Sequence, residues 1–171
     1  MNERLYLGVE IGGTKTQVVL GNFNADIIDR RRFQVDKAAG AAGIRNQIAR
    51  ALEEFQNKHR ISAVGIGFGG PVDWRNGRTA LSHHIEGWSD FDLAGWMHDL
   101  ARVPVRVDND ANTAALPAAC LGVGRNSNPV FYVTLGSGVG GGLVVDQEIY
   151  QAAIPGEAEI GHVRLDKAGK M

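Results

Sequence analysis

Two glycine turns, each set between apolar runs, constrain this chain more than any other feature. The first lies between residues 5–9 and 16–20 and contains Gly12-Gly13-Thr14. The second lies between residues 130–135 and 143–145 and reads Gly136-Ser137-Gly138-Val139-Gly140-Gly141-Gly142. Apolar runs of strand length separated by glycine predict antiparallel hairpins. Two hairpins of similar build, with helical segments between them, suggest two related lobes facing each other across a cleft. Overall the chain holds 23 glycines in 171 residues, where a share of about 7% is usual. Only five prolines accompany them, so the composition is not that of a linker.

The segments between the hairpins alternate in type. Residues 27–35 supply a third strand. Ile44, Ile48, Leu52 and Phe55 recur at helical spacing and predict an amphipathic helix over residues 41–58. Residues 62–68 read as a buried strand that breaks at Gly69-Gly70-Pro71. Residues 74–89 lose the pattern and read as loop with at most a short strand. Asp90 or Asp92 caps a helix with Leu93, Trp96, Met97 and Leu100 on one face. A strand over residues 104–107 then ends at Asp108-Asn109-Asp110, and a helix over residues 111–121 follows. Pro117 should kink or shorten that helix. Strands alternating with helices predict an α/β layer fold.

Charge and termini exclude several classes. Eighteen basic against nineteen acidic residues argue against nucleic acid as a partner, because phosphate-tracking proteins carry a basic face. Arg30-Arg31-Arg32 reads as a solvated strand end. No apolar run approaches the roughly 20 residues of a membrane span. The polar start at residues 1–4 shows no signal peptide. Cys120, the single cysteine, cannot form an intrachain disulfide and suits a reducing, cytoplasmic setting.

Polyphosphate binding without a lysine cluster needs inward backbone N–H groups and small side chains. Gly12, Gly13 and Thr14 on one side, and Gly136, Ser137 and Gly138 on the other, meet that need. Hairpin turns requiring φ > 0 are the plainer explanation for either turn alone; two such turns favour the cradle. Lys15 either adds charge or faces solvent. Asp108-Asn109-Asp110 lies at a strand-to-helix junction, where α/β sheets bind ligands. There a carboxylate either takes a proton from a hydroxyl nucleophile or caps the helix. Glu159 and His162 are three apart, so on a helix they would share a face and grip a polyol or a metal. His83 and His84 fall in unpatterned loop. Trp74, Trp88 and Trp96 read as core or loop anchors.

Together these segments resemble the ROK family (repressor, open reading frame, kinase) of the sugar kinase, Hsp70 and actin superfamily. The matching stretches are residues 7–15 (LGVEIGGTK), 65–73 (GIGFGGPVD), 107–112 (VDNDAN), 135–142 (LGSGVGGG) and 159–162 (EIGH). The resemblance implies an actin-like, ribonuclease H-like α/β lobe with a mixed sheet and flanking helices over residues 1–116. The start of a second lobe follows over residues 117–171. It implies ATP- and Mg²⁺-dependent phosphorylation of a hexose or N-acyl hexosamine on its primary hydroxyl. A sugar-binding regulator, or a catalytically inactive fragment of the same family, is the alternative. By the same resemblance, Asp110 is the catalytic base. Asn109, Glu159 and His162 hold the sugar. Gly12, Gly13, Thr14 and Lys15, with Gly136, Ser137 and Gly138, hold the ATP phosphates. Glu10 stands near Mg²⁺ where most members have Asp. His162 matches a zinc ligand in many members, but zinc is not expected here, because no cysteine follows Cys120. A homodimer is a further implication. The chain stops nine residues after His162, before the family's cysteine-rich segment. Turnover by these residues alone is therefore not expected.

Overall fold

The computed structural model describes residues 4–80, 85–136, 138–151 and 160–163. The chain divides into two compact units, Met1–Asp110 and Ala111–Met171.

The first unit is built on a mixed sheet. Strands β1 (Leu5–Ile11), β2 (Lys15–Asn22) and β3 (Ile27–Gln34) form an antiparallel meander. Helix α1 (Gly40–Gln56) then crosses to β4 (Ile61–Phe68), which pairs parallel with β1. A small hairpin of β5 (Val72–Asp73) and β6 (Arg78–Thr79) leads to α2 (Leu93–Ala101), and β7 (Val105–Asn109) pairs parallel with β4. The sheet order is β3-β2-β1-β4-β7.

Alternation sorts the strand residues. Leu7, Val9 and Ile11, Thr16, Val18 and Leu20, and Val64, Ile66 and Phe68 are all buried. Against this face pack Ile44, Ile48, Leu52 and Phe55 of α1, with Leu93 and Met97 of α2. Each such side chain contributes roughly 1.5–3 kcal/mol on burial. The Asp92 side chain caps α2 by accepting from Gly95 N at 2.9 Å. Leu100, expected on the buried face of α2, is 40% exposed, because the buried stripe runs through Leu93, Met97 and Ala101 at four-residue spacing and leaves Leu100 to one side. Trp88 is buried and meets Phe68 and Phe91 edge-on, at 5.4 and 5.5 Å between ring centroids. Trp88, at the end of the stretch read as unpatterned over residues 74–89, is thus an aromatic anchor in the core.

Helix α3 (Asp110–Cys120) leads into the second unit. It runs through Pro117 and for three residues beyond, contrary to the expected shortening. Its last turn is held without the missing amide: Leu121 N and Gly122 N both donate to Pro117 O, and Gly124 N to Ala118 O. Strands β8 (Val130–Leu135), β9 (Val139–Val145) and β10 (Glu148–Ile149) form an antiparallel sheet. Gly140, Gly141 and Gly142 lie within β9 instead of the turn. A Cβ on Gly142 would come 2.7 Å from Ala115 Cβ and 2.9 Å from Ala111 O. These strand glycines let α3 lie close against β9, so part of the glycine excess serves packing. A short 3-10 helix, Ile160–His162, closes the described chain.

Candidate functional site

Glu10 occupies the end of β1, exposed, on the face opposite the buried core. Pairing of Ile11 with Thr16 puts Gln17 across from it, and Gln17 Nε2 donates to Glu10 Oε2. Gln17 carried no motif. Counting back from the turn along the hairpin is the signal that finds it. In the same row, Gly67 lies between Glu10 and Asp108.

The first glycine turn is stitched at both ends. Gly12 N donates to Lys15 O at 3.0 Å, and Val35 N to Thr14 O at 3.0 Å. Lys15 is exposed at the start of β2. The second turn is closed by Gly136 N donating to Gly138 O at 2.8 Å. Ser137 lies outside the described residues.

In each turn one glycine, Gly13 or Gly136, is not needed for the turn's own folding, whereas a Cβ on Gly12 would stand 3.0 Å from Lys15 O. Gly13 and Gly136 lie outside the left-handed region, and a Cβ on either would meet nothing within 4 Å. Among the described residues, then, neither φ nor crowding calls for glycine at these positions. What their bare backbone offers is access, and that is what an approaching anion requires.

Asn109 ends β7 and Asp110 opens α3, both half-buried. Asn109 Nδ2 donates to Gly70 O at 3.2 Å, and Asp108 Oδ1 accepts from Asn109 N at 2.7 Å. Asp110 lies in the first turn of α3, where the helix dipole favours an ionised carboxylate. The strand order puts β4 between β1 and β7, so the loop after β4 separates the glycine turn from Asp110. Gly69 fills that position: its N donates to Ile11 O at 2.8 Å. A Cβ there would lie 3.4 Å from Asp110 Oδ2 and 3.5 Å from Gly12 Cα. The first unit therefore brings together the Gly12 turn, Gly69-Gly70, Asn109 and Asp110. At Gly69-Gly70 the sequence shows a loop break within the 65–73 stretch, and only the fold shows what that loop touches.

The loop that follows is pinned by polar contacts. Asp73 accepts from Asn76 Nδ2 at 2.7 Å, and this bond, with help from backbone amides, holds its carboxyl below the usual range. Arg78 pairs with Asp90 at 3.0 Å.

In the second unit, His162 is exposed on the 3-10 helix. The Cβ position of Gly161 falls against Val139 O, so the segment packs directly on β9. Glu159, His83 and His84 lie outside the described residues. Among the described residues no three His, Cys, Asp or Glu side chains group to hold a metal. No helix among them is long and apolar enough to cross a membrane.

The chain is 34% identical to the glucokinase of Halalkalibacterium halodurans over 99% of its own length and 52% of that protein. A ROK family glucokinase from Streptomyces griseus, solved with glucose and AMPPNP, superposes with a TM-score of 0.83 at 31% identity. That match covers 95% of this chain and 51% of the other. A ROK family transcriptional regulator, homologous to the E. coli MLC protein, shares the fold at a TM-score of 0.84 and 19% identity. It covers 99% of this chain and 43% of the regulator. The chain thus spans about half the length of the relatives it matches. The ROK family profile itself matches residues 6–171, and with motifs, sheet order and relatives in agreement, the chain belongs to the ROK family.

Proposed function

We propose that the protein, at full length, transfers the γ-phosphoryl group of ATP to the primary hydroxyl of a hexose or N-acyl hexosamine. The observation that carries this reading is that the Cβ position of Gly69 falls within 3.5 Å of both Gly12 Cα and Asp110 Oδ2. A phosphate-accepting backbone and a candidate base thereby meet at one place. Relatives that include glucokinases support it further.

In this reading Asp110 takes the proton from the sugar hydroxyl as that oxygen attacks the γ-phosphorus. The bond from the γ-phosphorus to the bridging oxygen breaks, and ADP leaves with the bond's electrons. Phosphoryl transfer demands little covalent chemistry of the protein and mainly rewards position and neutralised charge. Asn109, Glu159 and His162 orient the sugar. Gly12, Gly13, Thr14 and Lys15 bind the ATP phosphates, Gly12 by its bare backbone alone because its N–H donates to Lys15 O; Gly136, Ser137 and Gly138 bind them as well.

Magnesium is usually held by one or two carboxylates, water and substrate phosphates. Glu10, an exposed carboxylate steadied by Gln17, fits that modest requirement. When bound, the ion neutralises charge on the phosphates. Among the described residues His162 stands in no group of three potential metal ligands. The likeness to a transcriptional regulator supports a second reading, sugar binding without turnover.

A coupled ATP-consumption assay over glucose, fructose, N-acetylglucosamine and N-acetylmannosamine separates the two readings. Phosphorylation of one sugar is expected, and Asp110→Asn is expected to lower kcat by roughly 10²–10⁴-fold, the range of a general base. Sugar binding by calorimetry without turnover favours the regulator. Full turnover in Asp110→Asn removes Asp110 as the base.

A further inference from the structure

We propose that Gly69 is a positioning residue for phosphoryl transfer, keeping open the space in which the Asp110 carboxylate sits against the first glycine turn. The inference rests on the reading of Asp110 as base and extends it to a residue that carries no functional group.

The argument starts from what glycine does here. Gly69 lies outside the left-handed region, so its conformation admits other residues. Space, not φ, is what disfavours a side chain. A Cβ would stand 3.1 Å from Ile11 O, 3.4 Å from Asp110 Oδ2 and 3.5 Å from Gly12 Cα. The tightest of these neighbours is backbone, and it accepts from Gly69's own N–H at 2.8 Å. The Asp110 and Gly12 distances are ordinary contacts, so the crowding lies at Ile11 O. Relieving it loosens the Gly69 N–H bond. It also shifts either the end of β1, which leads straight into the turn, or the loop that sets the methyl against the Asp110 carboxylate.

The next residue ties the same loop to the other side of the site. Gly70 O accepts from Asn109 Nδ2 at 3.2 Å, and Gly70 N donates to Phe68 O at 2.9 Å. Residues 69–70 thus join the end of β1 to the junction of β7 and α3. A shift of a few tenths of an ångström there moves the base relative to the phosphate path. Catalysis that depends on placement is steeply sensitive to such shifts; a displacement of about 1 Å can cost on the order of 100-fold in rate.

The contrast with Gly65, four residues earlier in β4, isolates the effect. A Cβ on Gly65 meets nothing within 4 Å, so alanine there adds the same methyl without touching the site.

The test uses the full-length protein with Gly69→Ala, Gly65→Ala, Asp110→Asn and the double variant Gly69→Ala/Asp110→Asn. Steady-state kinetics, sugar titration and thermal midpoints are recorded for each. Gly69→Ala is expected to lower kcat about tenfold with KM and sugar affinity within about twofold, as misplacement predicts. Gly65→Ala is expected to retain wild-type kcat. Because Gly69 acts through Asp110, the double variant should be no slower than Asp110→Asn alone. Wild-type kcat in Gly69→Ala overturns the proposal. So does a Gly69→Ala protein that fails to fold, or one that slows Asp110→Asn further, since either marks a purely structural role. Turnover surviving in Asp110→Asn instead sinks the kinase assignment of that residue, and the proposal with it.

Discussion

The β1–β2 and β8–β9 hairpins share a plan and use their glycines in opposite ways. Each is a pair of antiparallel strands with a third strand beside it and a glycine turn at its tip. In the first, the core-facing positions Leu7, Val9, Ile11, Thr16, Val18 and Leu20 are all buried under α1 and α2. In the second, the positions toward α3 include Gly140 and Gly142, and among the described residues the buried cluster is Ala115, Ala119 and Val144. The outer face of β8 leaves Phe131 49%, Val133 43% and Leu135 80% exposed. Side chains beneath a hairpin bury apolar area; glycines beneath it allow close approach but bury little. Two hairpins alike at the turn therefore differ in whether they carry their own stability.

The largest test of that difference divides the chain. Residues 1–110 alone are expected to unfold in one cooperative thermal transition. Residues 111–171 alone are expected to show little ordered ellipticity and no transition. A cooperative transition in the second fragment would break the contrast. Within the first unit, Phe55→Ala is expected to cost about 3–5 kcal/mol in urea unfolding, the usual price of emptying an aromatic site.

Glycine substitutions sharpen the comparison at a smaller scale. Gly142→Ala forces a methyl against Ala115 and the Ala111 carbonyl and is expected to cost about 1–3 kcal/mol. Gly13→Ala, in open space, is expected to change stability by less than about 0.5 kcal/mol. On the proposed function it should still raise KM for ATP several-fold. Equal destabilisation by both would dissolve the distinction between packing glycines and access glycines.

The sheet edges give the smallest effect. Edge strand β3 is masked by charge: Arg31 bonds Asp29 at 2.7 Å and Glu54 at 2.8 Å. Edge strand β8 shows apolar side chains instead. The Arg31 side chain, then the Arg30 amide, hold the Asp29 carboxyl below its ordinary range. A carboxyl depressed on folding adds stability above its unfolded pKa of about 3.9. That increment is lost as pH falls through the lower folded value. Wild type should therefore lose slightly more thermal stability than Asp29→Asn on acidification from about pH 5 to about pH 2. The group is exposed, so salt should reduce the difference.

Much of this architecture was legible in the residues. Apolar runs flanking glycine located β1, β2 and β8, alternation of small and apolar residues located β4, and the spacing of Ile44, Ile48, Leu52 and Phe55 located α1. Such patterns are local, repeating within a few residues, and need no knowledge of the partner surface. The short β5–β6 hairpin escaped notice because two-residue strands have no period. Pro117 did not shorten the helix because a proline loses only its N–H, and its carbonyl still accepts from Leu121 N and Gly122 N.

The order of the motifs along the chain, by itself, determined that this is an α/β protein of the ROK family with glycine turns and a VDNDAN junction. Tertiary structure alone decided what each glycine is for. Gly13 and Gly136 stand open, Gly140 and Gly142 pack against a helix, and Gly69 separates a turn from a carboxylate 41 residues further along the chain. A missing side chain leaves no pattern of its own, so its purpose is visible only in what stands where that side chain would be.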